Sequence, residues 1–250
     1  IKDYDKNIRF IDLDENSGHA HARNIALEEV ETPYFMFLDA DDELASYAIT
    51  FYLDKFNYTD GLIAPVHSFM LKKPQYVDLD KVKVNYFDGK RNINSFLRKQ
   101  TACNIIFRTA IVRAHDLKFN EDLNVYTDWS FVIEYSKYVN KFMRITNFSF
   151  YYRGEVYDPF DGKTLREQDF DILFEDYVKM FYDAMARVTH KETKSFIINK
   201  LEQQIARDFD PTHHDIKKRY AAHKETLVEL ARYLNVNLIK HQHLINKIET

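Results

Sequence analysis

Three carboxylates, Asp39, Asp41 and Asp42, fall within four positions directly after an apolar run, Tyr34 to Leu38. Charges this close repel one another, and a divalent cation relieves them, because hard carboxylate oxygens suit Mg²⁺ or Mn²⁺. In open α/β sheets, ligands bind outside the carboxyl ends of strands. The cluster is therefore a candidate cation and phosphate site. A solvated turn in which Asp42 caps the next helix also fits, and spacing alone leaves both readings open. Downstream, Asp128 precedes "WSFVIEY", where it is a good helix cap.

The elements that must position these groups follow from periodicity. "IRFIDL" (8–13) reads as a short strand and "ENSGHAHA" as a polar loop. "ARNIALEEV" (22–30) has apolar positions at 22, 26, 27 and 30, the helical period. Pro33 then stops that helix. "YFMFL" is a continuous apolar run, the mark of a strand buried on both faces. Strand, helix, strand in so short a span is the grammar of an α/β sheet.

Further along, 43–58 reads as a helix, 61–71 and 142–153 as strands, and 128–139 as an amphipathic helix. "NIIFRTAIVRAHDLKF" reads as strand, short helix and turn. From about Phe170 onward only helical periods remain. The spacing places a boundary near 166, dividing an α/β domain over 1–165 from a helical region over 166–250.

Composition removes several function classes. The net charge is -4 with no long basic run, whereas a dedicated nucleic-acid binder shows a basic stripe. Cys103 is the only cysteine, which forbids an intrachain disulfide and a thiolate metal site. No apolar run reaches the roughly 18–20 residues that span a bilayer, and the charged start lacks the apolar core of a signal peptide. These features predict a soluble, cytoplasmic protein. A calcium-binding EF-hand loop wants Gly sixth and Glu twelfth, where Leu44 and Thr50 stand. A haloacid-dehalogenase-type phosphatase wants Thr or Val where Glu43 stands.

Taken in order, Asn16-Ser17-Gly18, Ala22-Arg23-Asn24 and Phe37-Leu38-Asp39-Ala40-Asp41-Asp42 resemble the N-x-G loop, A-R-N helix start and FLDxDD strand end of family 2 glycosyltransferases. The resemblance implies a GT-A (Rossmann-like) nucleotide-sugar transferase core followed by an α-helical region. It implies that Asp41 holds Mn²⁺ or Mg²⁺, that Arg23 binds the donor diphosphate, and that Asn16 and Asp39 face the donor. Residues 104–135 are similar to the family's acceptor-side segment, F-x-E-x-L and then an acidic pair opening a helix. In inverting members the Asp of that pair is the general base, here Asp128, with Thr127 where the preceding Glu is expected.

Among such enzymes the likeness is greatest to wall teichoic acid glycosyltransferases and to transferase domains fused to polyol-phosphate polymerases. There a basic residue and a His beyond the base contact the diphosphate. Arg153 is the candidate for the first, Tyr157 stands in place of the second, and Lys163 is a substitute. The resemblance begins part-way through the family pattern, so the expectation is an N-terminally incomplete domain.

The sequence thus predicts an inverting, metal-dependent enzyme moving a sugar from a nucleotide-diphosphate donor, UDP-linked, to a hydroxyl of a cell-surface glycopolymer such as teichoic acid or capsule. It would work at the inner face of a bacterial membrane, with the helical tail as acceptor platform or homo-oligomer surface. A non-catalytic binding or scaffolding module on the same fold is the alternative, favoured by Thr127. His19 and His21 read as loop residues that could reach phosphates, and Trp129 as an acceptor-stacking or core residue. His213-His214 and His241-x-His243 do not share a helix face, which rejects a zinc site.

Overall fold

The computed structural model describes residues 8–40, 42–56, 59–63, 66–68, 78–97, 101–147, 149–153 and 170–237, with side chains left aside at 66–68, 153 and 235–237. Two compact units divide between Thr189 and His190.

The first unit is built on a five-stranded sheet of order β1-β6-β3-β7-β5. Its strands are β1 (Tyr34–Phe35), β3 (Gly61–Ile63), β5 (Val84–Asp88), β6 (Ile105–Arg108) and β7 (Lys141–Ile145). Strands β3 and β7 run parallel, and the other pairs are antiparallel. A second sheet, order β2-β8-β4, joins β2 (Glu43–Leu44), β8 (Tyr151–Arg153) and β4 (Val66–Ser68). Helices α1 (Gly18–Glu28), α2 (Ala48–Lys55), α3 (Gly89–Phe96), α4 (Thr109–Ala114), α5 (Thr127–Ser136) and α6 (Phe170–Arg187) surround them. In the second unit lie α7 (Lys191–Asp208) and α8 (Ile216–Asn237). The expected α/β architecture with a helical C-terminal region is present.

Several local expectations shift. The 8–13 stretch forms no strand, and Ile8, Phe10, Ile11 and Leu13 are exposed. The "YFMFL" run is an edge strand rather than one buried on both faces. Phe35 and Phe37 turn to Phe107 and Phe119, while Met36 packs on the cluster of Tyr52, Met143 and Phe150. Both sides are therefore packed, but only half-buried, and Leu38 is 49% exposed. The helix expected over 43–58 is shorter because Glu43 and Leu44 are taken into a ladder with Tyr152 and Tyr151. Asp42 does not cap α2, whose N-cap is Tyr47.

Helix α1 starts four residues earlier than its apolar period indicated. The buried positions are Ala20, Asn24 and Leu27, not 22 and 26. Asn24 is tolerated inside because its amide Nδ2 donates to the Phe119 carbonyl (2.9 Å) and its Oδ1 accepts the Phe119 amide (2.7 Å). A buried amide so satisfied carries little desolvation cost. Under α1 lies an aromatic floor in which Phe119 and Phe131 stack at 4.2 Å and Phe107 meets Phe131 edge-on at 5.4 Å. Gly89 joins β5 to α3 where the backbone touches: a Cβ there would lie 1.9 Å from the Val139 carbonyl oxygen.

Candidate active site

The polar loop before α1 is shaped by its own residues. Asn16 Oδ1 accepts the Gly18 amide (3.2 Å), and Gly18 has φ +82°, a conformation only glycine adopts without strain. Asn16 thus builds the turn that launches α1. Since the helix starts at Gly18, Arg23 sits within α1 rather than at its N-terminus. Its guanidinium lies over the Phe37 and Phe119 rings, 5.5 and 5.3 Å from their centres, a favourable placement for a cation on π faces.

From that aromatic seat Arg23 reaches two carboxylates. Nη2 donates to Asp39 Oδ1 at 2.8 Å and Nη1 to Asp128 Oδ1 at 2.5 Å. The Arg23 side chain is 14% exposed and that of Asp128 24%. Burial opposes the guanidinium charge, but the carboxylates of Asp128 and Asp39 outweigh it and raise the Arg23 pKa. The 3₁₀ turn Ala102–Asn104 completes the network. The Ala102 amide donates to Asp128 Oδ2 (3.0 Å), and the Cys103 thiol donates to Asp39 Oδ2 (3.2 Å). Burial, then the charges of Asp128 and Asp39, push the Cys103 pKa up, so the thiol stays protonated and donates.

Asp128 is not the cap of its helix. The N-cap of α5 is Tyr126, with no side-chain cap bond, and both Asp128 oxygens are turned to Arg23 and Ala102. Asp128 and Asp39 are therefore brought to one guanidinium from segments far apart in the chain. The neighbouring carboxylate, Asp42, accepts from the Tyr151 hydroxyl of β8, whose pKa is raised by burial and by that bond. A backbone turn from Asp39 O to the Asp42 amide (3.0 Å) spans the cluster.

Asp41, the expected metal ligand, lies outside the described residues, as do Tyr157 and Lys163. Arg153 ends β8, and its side chain is likewise not described. Among the described residues no group of three or more His, Cys, Asp or Glu could hold a metal ion. Asp39 and Asp42 carry hard oxygens of the kind Mg²⁺ or Mn²⁺ takes, and both are engaged here, Asp39 by Arg23 and Cys103 and Asp42 by Tyr151.

Sequence reasoning placed His19 and His21 in a loop, whereas both lie in α1, and it missed other members. His19 is a part-buried contact of the α5 start, its Nε2 lying 2.7 Å from Thr127 Oγ1. Burial, then Arg23, lowers its pKa. His21 Nδ1 and Asn24 Nδ2 both reach Glu121, at 3.0 and 2.7 Å. Glu121 is the acid of the F-x-E-x-L stretch, and that pattern was the one signal available for it. Nothing in the sequence marked Ala102 or Cys103.

Residues 1–116 match the model described as "Glycosyl transferase family 2". The match takes in just under half of the chain, and that segment is similar to a family 2 glycosyltransferase domain. Over all 250 residues the chain is 73% identical to a protein of Staphylococcus epidermidis named teichoic acid poly(glycerol phosphate) polymerase, and it spans 35% of that protein's length. Among solved structures, S. aureus TarS residues 1-349 in complex with UDP-GlcNAc superposes with a TM-score of 0.63 at 15% identity. It covers 89% of this chain and 63% of that one. The same TarS fragment without that ligand in its name gives 0.59 at 17% identity, covering 89% and 62%. The fold is thus GT-A, with α5 and α6 lying beyond the segment matched by the family model.

Proposed function

We propose that this chain is the sugar-transferring part of a longer teichoic-acid-assembling protein, and that it moves a sugar from a UDP-sugar to a hydroxyl of the glycopolymer with inversion. The observation that carries the reading is the meeting of Asp39 and Asp128 at Arg23, which brings donor-side and acceptor-side segments to one point. UDP as carrier is supported by the UDP-GlcNAc named for the TarS structure, and the polymer by the name of the 73% identical relative.

On this reading Asp128 takes the proton of an acceptor hydroxyl while that oxygen attacks the anomeric carbon from the face opposite the diphosphate. UDP departs with the bonding electron pair. Arg23 offers its donors to the diphosphate, and Asp39 faces the donor's hydroxyls. A divalent ion held by Asp41 with its neighbouring carboxylates would neutralise charge on the diphosphate. Work at the cytoplasmic face of a membrane belongs to the same proposal. Among the described residues no helix is long and apolar enough to cross one.

One observation favours a second reading, a binding module without turnover. Arg23 already satisfies both carboxylates, and a closed network of this kind can serve as a structural clamp. A thermal-shift titration with UDP, CDP and GDP, with and without Mn²⁺, separates the two. A nucleotide at a hundred times its Kd raises stability by about 2.7 kcal/mol. Stabilisation by UDP that needs Mn²⁺ and disappears in Asp41→Ala supports the transferase, and equal melting with every ligand supports the clamp.

A further inference from the structure

The start of α5 is held in an unusual way. Tyr126, its N-cap, has φ +60° and ψ +13°, the left-handed region that a bulky residue enters only when its surroundings impose it. No side chain caps the helix at that point. What imposes the geometry comes from α6. Asp176, 1% exposed, accepts the amides of Asn124 (2.6 Å) and Val125 (3.0 Å) on one oxygen, Oδ2, while Lys179 Nζ lies 3.7 Å from Oδ1. The next residue, Tyr177, meets the Tyr126 ring edge-on at 4.9 Å and the Trp129 ring at 6.1 Å.

The two amide bonds precede Thr127 and Asp128, and the two rings flank them. We infer that the Asp176–Tyr177 pair of α6 is a positioning device for the general base, fixing where α5 begins and so where the Asp128 carboxylate sits. The inference rests on the reading of Asp128 as base.

The mechanism is geometric. Amides 124 and 125 immediately precede the left-handed residue, so their direction sets the angle at which the chain enters α5. Asp128 lies in the first turn, and its two hydrogen bonds, to Arg23 and to the Ala102 amide, need that entry angle. Asp176 touches none of the groups of the site. Loss of its acceptor frees the two amides, relaxes Tyr126 towards ordinary φ, and swings Asp128 and Trp129 together.

The test uses the full-length protein with UDP-GlcNAc as donor and poly(glycerol phosphate) as acceptor. It compares wild type, Asp176→Ala, Asp176→Asn and Asp128→Asn, with turnover counted per folded molecule. A misplacement of about 1 Å can cost up to about 100-fold in rate. Asp176→Ala is expected to lower kcat on that scale with the donor KM unchanged. Asp176→Asn keeps one acceptor oxygen for both amides and is expected to recover most of the rate. Hydrogen exchange at residues 127–130 is expected to quicken in the Ala variant while exchange in α2 stays as in wild type.

An inactive Asp128→Asn beside an Asp176→Ala enzyme with wild-type kcat overturns the positioning role alone. So does a loss that lies wholly in the folded fraction. Wild-type turnover in Asp128→Asn removes the base, and the positioning role with it.

Discussion

Arg23 is the residue on which the site's electrostatics turn. It holds two carboxylates from distant segments and rests on two aromatic faces, so its removal leaves Asp39 and Asp128 facing each other without a counter-charge. Breaking such a part-buried pair on one side costs about 1–3 kcal/mol. Arg23→Ala is therefore expected to unfold at lower denaturant, and the double change Arg23→Ala with Asp128→Asn to recover part of the loss. Urea melts of the three proteins check this.

His19 provides a pH prediction. Its pKa is lowered in the fold by burial and by Arg23, so the unfolded chain takes up a proton first as pH falls. Stability on this account is present above the ordinary value of 6.5 and is lost as pH falls from there through the lowered folded value. The groups facing His19 are Arg23, Asp128 and Asp39, together with the hydroxyl of Thr127. His19→Gln keeps a hydrogen-bonding side chain without a titration, and its melts between pH 7 and 5 should fall less steeply than those of wild type.

Among elements, the close approach at Gly89 sets the clearest expectation. A methyl group there meets the Val139 carbonyl at 1.9 Å, a backbone neighbour that cannot turn aside. Gly89→Ala should destabilise by about 1–3 kcal/mol, seen as a lower melting temperature. The elements themselves were legible where periodicity is strong. The 128–139 stretch, the 142–153 strands and the tail helices appear close to their expected places. The start of α1 was not legible, since its buried face is centred on Asn24, and a polar residue hides a core position from any count of apolar ones. The edge position of β1 was hidden for another reason: Phe35 and Met36 pack on opposite sides, which looks the same in a central strand as in one lacking a neighbour on one side. The contribution of the Ala102–Asn104 turn depends on contacts with residues far along the chain, and its local sequence carries no trace of them.

Across the whole molecule, the described members of the site all precede residue 190. Asp39, Arg23, Asp128, Cys103 and the α6 residues that brace them belong to the unit that closes at Thr189. A protein lacking 190–250 should therefore keep any nucleotide-induced rise in melting temperature that the complete chain shows. Loss of the response on truncation would place part of the nucleotide site in the helical unit. The net charge of -4 is a weak guide at this scale. What organises the site is local, one cation among several carboxylates, and a whole-chain balance averages that away.

The Asn24 amide has a mechanical consequence as well. It grips Phe119 at both the amide and the carbonyl, and a two-point attachment resists twisting as well as separation. A helix resting on a greasy floor by single contacts could roll about its own axis. Helix α1 cannot roll without breaking both bonds at once. Arg23, the next residue back, inherits that fixed azimuth, so its aim at the two carboxylates is set by a neighbour that touches neither.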